Sequence, residues 1–268
     1  MSKYYTRACN FYYGKSSIEM LKKKKALPMH GNNELSFDTV EILSRKNKRK
    51  INIKNINTLS NNLKKIIKKD LNKITKKKIF CKISLKEPLL VGILNLTPDS
   101  FSDGGQYNQT SLALKKVKSL LEAGCKIIDV GGESTRPGSK GIDKNIEWKR
   151  ISKIIKKIKN YKFLLSLDSR KTFVMNKASK YKLNIINDVS GFSYDIKTID
   201  FLKHTNLPLI INHSKGVPET MQKKPSYNNV ILEIYDFFEK KIKLLRKSGI
   251  KHNNIILDPG IGFGKNLK

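Results

Sequence analysis

The chain has 268 residues, 38% of them hydrophobic and 29% charged, which excludes a wholly disordered or fibrous protein. No apolar run reaches the roughly 18 to 20 residues that a membrane-crossing helix needs, and the opening MSKYYTRACNFYYGK lacks the apolar core of a secretory signal, so the chain reads as a soluble, cytoplasmic protein. Its formal charge of +33 comes from 55 basic and 22 acidic residues, but 48 of the basic residues are lysine and only seven are arginine. Lysine, isoleucine and asparagine share A/T-rich codons, so base composition accounts for the excess better than selection for a polyanion. Arginine forks interleaved with stacking aromatics, the usual equipment of a nucleic-acid reader, are absent from the lysine runs. No specific nucleic-acid partner is expected. Cys9, Cys81 and Cys125 are odd in number and contain no Cys-x-x-Cys pair, which points away from a disulfide framework or a zinc knuckle.

In chain order, residues 1–86 are the more basic part, with 23 basic and five acidic residues, and form a basic N-terminal extension ahead of a second region, 87–268. Within the extension, residues 17–28 read as a short helix stopped by Pro28, and LSFDTVEIL at 35–43 alternates like a strand. Residues 45–82 place Leu63, Ile66, Ile67, Leu71 and Ile74 at helical spacing and read as one amphipathic helix with a solvated lysine face.

From residue 87 the pattern changes. Short apolar runs at 89–96, 126–131, 163–169, 183–191, 207–213 and 254–260 alternate with helical stretches near 109–123, 145–159, 171–182, 195–205 and 227–248. This alternation predicts a parallel sheet covered by helices. Asn95, Asp129, Asp168, Asn187, Asp188, His213 and Asp258 fall near the C-terminal ends of the predicted strands. A lone Asp or Asn there is an ordinary helix cap or turn residue. Six successive strands with polar ends favour a (β/α)8 TIM barrel, whose strand ends converge on one mouth, over an open doubly wound sheet.

The loops carry the chemistry. NLTPDSFSDGG, residues 95–105, is turn-rich and holds Asp99, Phe101 and Asp103. DVGGESTRPGS, residues 129–139, offers the Thr135 hydroxyl and the planar fork of Arg136, suited to phosphate or carboxylate. Asp168, Asn187 and Asp258 present acceptors and an amide suited to a flat, nitrogen-rich heterocycle. DPGIGFGK, residues 258–265, lacks the spacing of a Walker phosphate loop.

These motifs, with INDVSG at 186–191, resemble those of the dihydropteroate synthases of the pterin-binding family, over about Pro88 to Lys265. The N-terminal KALPMHGNNELSFDTVEIL is similar to an extension on some bacterial members. The resemblance implies a folate-pathway transferase that joins 4-aminobenzoate to 6-hydroxymethyl-7,8-dihydropterin diphosphate, giving dihydropteroate and pyrophosphate. It also implies Asn95 as a ligand of Mg²⁺, Thr135 and Arg136 near the diphosphate and aminobenzoate, and Asp168, Asn187 and Asp258 on the pterin. Asp99, Phe101 and Asp103 would lie in a loop closing over the site. Full-length members suggest a homodimer.

Two departures stand out. Where the family surrounds its fifth-strand histidine with methionines, this sequence has NHSKG, with Asn212 and Ser214 beside His213, which reads as a hydrogen-bonded strand-end histidine outside the core site. Residues 87–268 suffice for about six βα units at roughly 31 residues each. The expectation is therefore a barrel truncated after about six units, without the family's Ser-Arg-Lys and Arg-x-His motifs and with low stability and activity of its own. The alternatives are a pterin-dependent methyltransferase domain, against which the STRPG and TPDSFSDGG loops speak, and a degenerate, non-catalytic protein whose basic extension binds RNA or a partner.

Overall fold

The computed structural model describes residues 3–97, 106–136, 138–216, 220 and 225–265, with backbone alone at 106–109. The chain divides into two compact units, Met1–Pro88 and Leu89–Lys268.

The first unit is an antiparallel sheet packed on helices. Its strands are β1 (Tyr5–Tyr13), β2 (Leu27–Met29), β3 (Asn32–Leu43) and β4 (Lys48–Asn52), with β3 pairing β1, β2 and β4. Helix α1 (Gly14–Lys22) follows β1, a 3₁₀ turn (Ile53–Thr58) leads to α2 (Asn61–Thr75), and a two-residue ladder joins β5 (Ile79–Phe80) to β6 (Ile83–Ser84). The helix read over 17–28 is corrected to α1 plus β2. Pro28 is a strand residue here, tolerated because β2 is an edge strand that pairs only with β3. The helix read over 45–82 is corrected likewise: β4 and the 3₁₀ turn occupy its first part, and only Asn61–Thr75 is α-helical.

The spacing of Leu63, Ile67, Leu71 and Ile74 does form one helix face. Ile67 and Leu71 are buried against Phe37, Val40, Ile42 and Ile56, so the basic region has a core of its own rather than trailing as a tether. In β1, Asn10 adopts φ +55° and interrupts the ladder between the pairs Cys9↔Thr39 and Phe11↔Phe37. Asn10 Nδ2 and the Tyr12 hydroxyl then both donate to Asp38, each at 2.8 Å.

The second unit is an α/β fold on a six-stranded parallel sheet in the order β12-β11-β10-β9-β8-β7. Its elements are β7 (Val91–Asn95), α3 (Gln106–Glu122), β8 (Ile127–Gly131), α4 (Lys144–Ile158), β9 (Leu164–Asp168), α5 (Thr172–Ser179), β10 (Ile185–Asp188), α6 (Thr198–Lys203), β11 (Leu209–Asn212), α7 (Val230–Lys247) and β12 (Ile255–Asp258). Strand side chains alternate between the two faces. Leu94, Ile128, Val130, Leu165, Leu167, Ile186, Leu209 and Ile211 take the face that packs into the core with Ile151, Ile155, Val174, Met175 and Phe238 of the helices. The opposite face carries the polar residues discussed below.

Candidate active site

Strand register explains how residues far apart in sequence come together. Asn95 pairs with Gly131, Gly131 with Asp168, and Asp168 with Asn187, so one rung crosses β7, β8, β9 and β10 at their C-terminal ends. By the two-residue alternation, Asp129 and Ser166 lie one step back on the same face, and Asn212 and Asp258 extend it across β11 and β12. Asp188 falls on the opposite, helix-covered face. It is fully buried and its carboxylate accepts from the Ser190 N–H and hydroxyl and from the Phe192 N–H. It ties down the loop after β10, and burial pushes its carboxyl up to about 6.

Gly131 is what lets the rung converge. A Cβ there would lie 3.1 Å from Asn95 Oδ1 and 3.3 Å from Asp168 Oδ2, so the missing side chain leaves a gap bordered by both oxygens. Burial, and next the charge of Asp129, raise the Asp168 carboxyl well above the usual carboxylate range. Burial also raises Asp129, an effect that Ser166 and Asn187 partly offset. Asn187 donates from Nδ2 to Asp129 Oδ2 at 2.8 Å, whereas its Oδ1 is buried without a hydrogen-bond partner among the described residues.

At the other side of the sheet, Asp258 is held by Asn212 Nδ2 at 3.0 Å and by the Gly260 N–H at 2.8 Å. Asn212, conspicuous in the sequence only as a substitute for methionine, therefore fixes a candidate ligand-binding carboxylate. Gly260 is confined to glycine by φ +62° and by the His213 carbonyl, 2.2 Å from where a Cβ would sit.

Thr135 and Arg136 follow β8 in a loop anchored from behind. Arg150 donates to the Gly132 carbonyl at 2.8 Å, and the Ser139 hydroxyl donates to the carbonyls of Ser134 and Arg136, each at 2.7 Å. Arg136 is exposed and Thr135 half-buried. Beneath them is an ionic network that the sequence reading missed. Glu133 pairs with Arg170 at 2.5 Å and with Lys171, and Lys171 also pairs with Glu147 of α4 at 2.5 Å. All four side chains are buried, which ties the loop after β8 to α4 and to the loop after β9. The signal was a glutamate inside DVGGEST and an Arg-Lys pair directly after the Asp168 strand, but neither spacing reveals a pairing across 37 or 38 residues.

A cavity of roughly 340 Å³ opens among the loops after β9 to β12, lined by Arg170, Ser190, Tyr194, Ser214 and Phe263 together with Phe237 of α7. None of the described predicted site residues lines it. Asp99, Phe101 and Asp103 lie outside the described residues. Among the described residues no cluster of three or more His, Cys, Asp or Glu could hold a metal by itself.

His213 is 7% exposed and packs edge-on against Phe237 at 4.8 Å between ring centroids. Lys265 Nζ donates to its Nδ1 at 3.1 Å, which leaves the ring proton on Nε2, and to its carbonyl at 2.9 Å. Burial, and next the Lys265 charge, lower His213 to about 4. A depressed histidine supports the fold fully above its unfolded value of about 6.5 and loses that support as pH falls towards 4. Denaturation of wild type and His213→Gln from pH 7 to pH 4 should therefore show the wild type losing ground to the variant as pH drops. A pH-independent difference between them rules this out.

Comparisons with known proteins concern the C-terminal unit. The family model for pterin binding enzymes matches residues 91–268. Dihydropteroate synthase of Escherichia coli strain K12 is 39% identical over 186 residues, covering 69% of this chain and 66% of the enzyme, and that of Clostridium beijerinckii is 41% identical over 177 residues, covering 66% and 63%. The chain thus spans just under two thirds of the length of these relatives. Among solved structures, the Yersinia pestis dihydropteroate synthase in complex with a sulfonamide drug aligns with a TM-score of 0.65 at 35% identity, covering 71% of this chain and 70% of that one. The Xanthomonas albilineans synthase with 4-aminobenzoic acid aligns with a TM-score of 0.63 at 32% identity, covering 69% and 65%. With the family model matched over residues 91–268, this chain belongs to the pterin-binding enzyme family.

Proposed function

We propose that this chain acts as a dihydropteroate synthase, condensing 4-aminobenzoate with 6-hydroxymethyl-7,8-dihydropterin diphosphate, in the cytoplasm, on a sheet that belongs to a TIM-barrel architecture. The observation that carries this reading is the rung itself: Asn95, Asp168 and Asn187 side by side on one sheet face, with the Gly131 gap between the first two. A pterin is flat and edged with N–H donors and ring acceptors. Asp168, the buried Oδ1 of Asn187, and Asp258 are acceptors set on separate strands that can receive such donors. Thr135 and Arg136, on the braced loop after β8, are assigned to the diphosphate and aminobenzoate. Asp99, Phe101 and Asp103 are assigned to a loop that closes over the reacting groups.

In the proposed reaction the aminobenzoate nitrogen attacks the pterin methylene carbon and the carbon–oxygen bond to diphosphate breaks. The amine proton passes to solvent and pyrophosphate leaves. No enzyme nucleophile takes part. The side chains bind, orient and exclude water from a methylene carbon on which positive charge develops. Among the described residues, the candidate ligand for a resident ion is the Asn95 amide oxygen, a hard donor beside the Gly131 gap. That suits Mg²⁺, which commonly takes one or two protein oxygens and completes its shell with substrate phosphates and water. When bound, the ion would neutralise negative charge on the leaving diphosphate.

Incubation of the full chain with both substrates and Mg²⁺ should give dihydropteroate and pyrophosphate in equal amounts, suppressed by a chelator and restored by Mg²⁺. Failure to form dihydropteroate, with substrate bound and metal supplied, refutes the proposal.

A further inference from the structure

The Asp129–Asn187 hydrogen bond joins strands that are not neighbours. Asp129 is the third residue of β8, Asn187 the third of β10, and β9 runs between them. The bond passes over Ser166, which stands beside Asp129 in the β8–β9 ladder and is completely buried. Only a small side chain at that position leaves room for two polar groups to reach across a strand. Asp129 is 4% exposed, so its carboxylate lies beneath the rung rather than at its rim.

An asparagine amide has one acceptor end and one donor end of nearly the same size, so a ligand site that uses it must fix which end faces outward. An ionised carboxylate can only accept, so it captures the donor end. The geometry matches this: Nδ2 points to Asp129 Oδ2 at 2.8 Å, and Oδ1 is left buried and unpartnered among the described residues. A buried carbonyl oxygen without a donor is costly in an empty site and is resolved when a ligand supplies an N–H.

We infer that Asp129 is a positioning residue which sets the polarity of Asn187, turning its amide nitrogen inward and presenting Oδ1 to an N–H group on the heterocyclic edge of the substrate. This rests on the pterin reading above and assigns its selectivity for a ring donor to a residue beneath the site. Asp168, in register with Asn187, supplies a second acceptor alongside.

The test uses the full chain, the fluorescence of 6-hydroxymethylpterin to read its binding, and calorimetry with inorganic pyrophosphate to read the anion subsite. Asp129→Asn can either accept from or donate to Asn187, so the amide loses its enforced orientation. Pterin binding should weaken by about tenfold, the worth of one neutral hydrogen bond, with pyrophosphate binding unchanged. Exchanging the pair in D129N/N187D moves the carboxylate to β10. One of its oxygens can then accept from the amide beneath, and the other still faces the ligand as an acceptor. The exchange should recover pterin binding to within about threefold of wild type. Because it restores the hydrogen bond, it also serves if D129N alone folds poorly, as judged by the melting of Trp148 emission. Equal pterin affinity in wild type and D129N overturns the inference and leaves the pterin reading intact. So does an exchanged pair no better than either single variant, or parallel losses of pterin and pyrophosphate. A wild type that binds no pterin overturns both.

Discussion

Replacing Lys171 with methionine should destabilise the C-terminal unit by about 3 kcal/mol or more, the cost typical of removing one partner from a buried ion pair. Lys171 lies between two carboxylates, Glu133 and Glu147, in a network whose members are at most 6% exposed. Glu133 retains Arg170 in the variant, but Glu147 is wholly buried and loses its ion pair with Lys171. Burial already raises the Glu147 carboxyl above its ordinary value despite Lys171, so the variant should protonate it and lose the tie between α4 and the loop after β9. The one tryptophan of the chain, Trp148, adjoins Glu147 and stacks on Tyr181 at 6.1 Å, so its emission follows this unit during urea denaturation. Adding Glu147→Met to K171M removes the stranded, unpaired carboxyl and should recover more than half of the loss. A K171M midpoint equal to that of wild type, or a double variant weaker than the single, contradicts a network in which pairing offsets desolvation.

Asp168→Asn should move binding and stability in opposite directions. Binding of the dihydropterin diphosphate should fall by about a hundredfold, in the range for loss of a hydrogen bond to a charged group. The fold should gain, because the Asp168 carboxyl is raised well above its ordinary range by burial and by the nearby Asp129 charge. A raised carboxyl favours the fold below its unfolded value, near 4, and loses that contribution as pH rises through the folded value. The charged form therefore burdens the native state at high pH, and an amide, which does not titrate, escapes the burden. The stability advantage of D168N should widen from pH 5 to pH 9. Tighter binding with lower stability at every pH would mean that Asp168 serves the fold rather than a ligand.

How much of this was legible in the sequence depended on periodicity. The six strands of the C-terminal unit are largely apolar runs, five of them ended by Asn or Asp, and because a parallel sheet aligns its strand ends, Asn95, Asp168 and Asn187 meet in register as that pattern implies. The N-terminal unit was harder. Its β1, YTRACNFYY, mixes polar and aromatic residues without strict alternation, and Asn10 at φ +55° interrupts its ladder without shifting the register, so the strand is recognisable only from its pairing with β3. Lysine-rich composition then blurred β4 and α2 into one helix. In the site, the Glu133–Lys171–Glu147 network, the Asp129–Asn187 bond across β9 and the hold of Asn212 on Asp258 were invisible. Each joins residues on different strands or helices, and no local spacing encodes which acid meets which base.

The central claim is that the rung of strand ends is a pterin diphosphate site, and equilibrium titration of the full chain with 6-hydroxymethyl-7,8-dihydropterin diphosphate tests it most directly. Saturation at one ligand per chain, strengthened by Mg²⁺ and weakened by about a hundredfold in D168N, is the predicted result. Binding that is absent, or that is equally strong in D168N and lost in moderate salt as expected of non-specific attraction to a +33 chain, would contradict it.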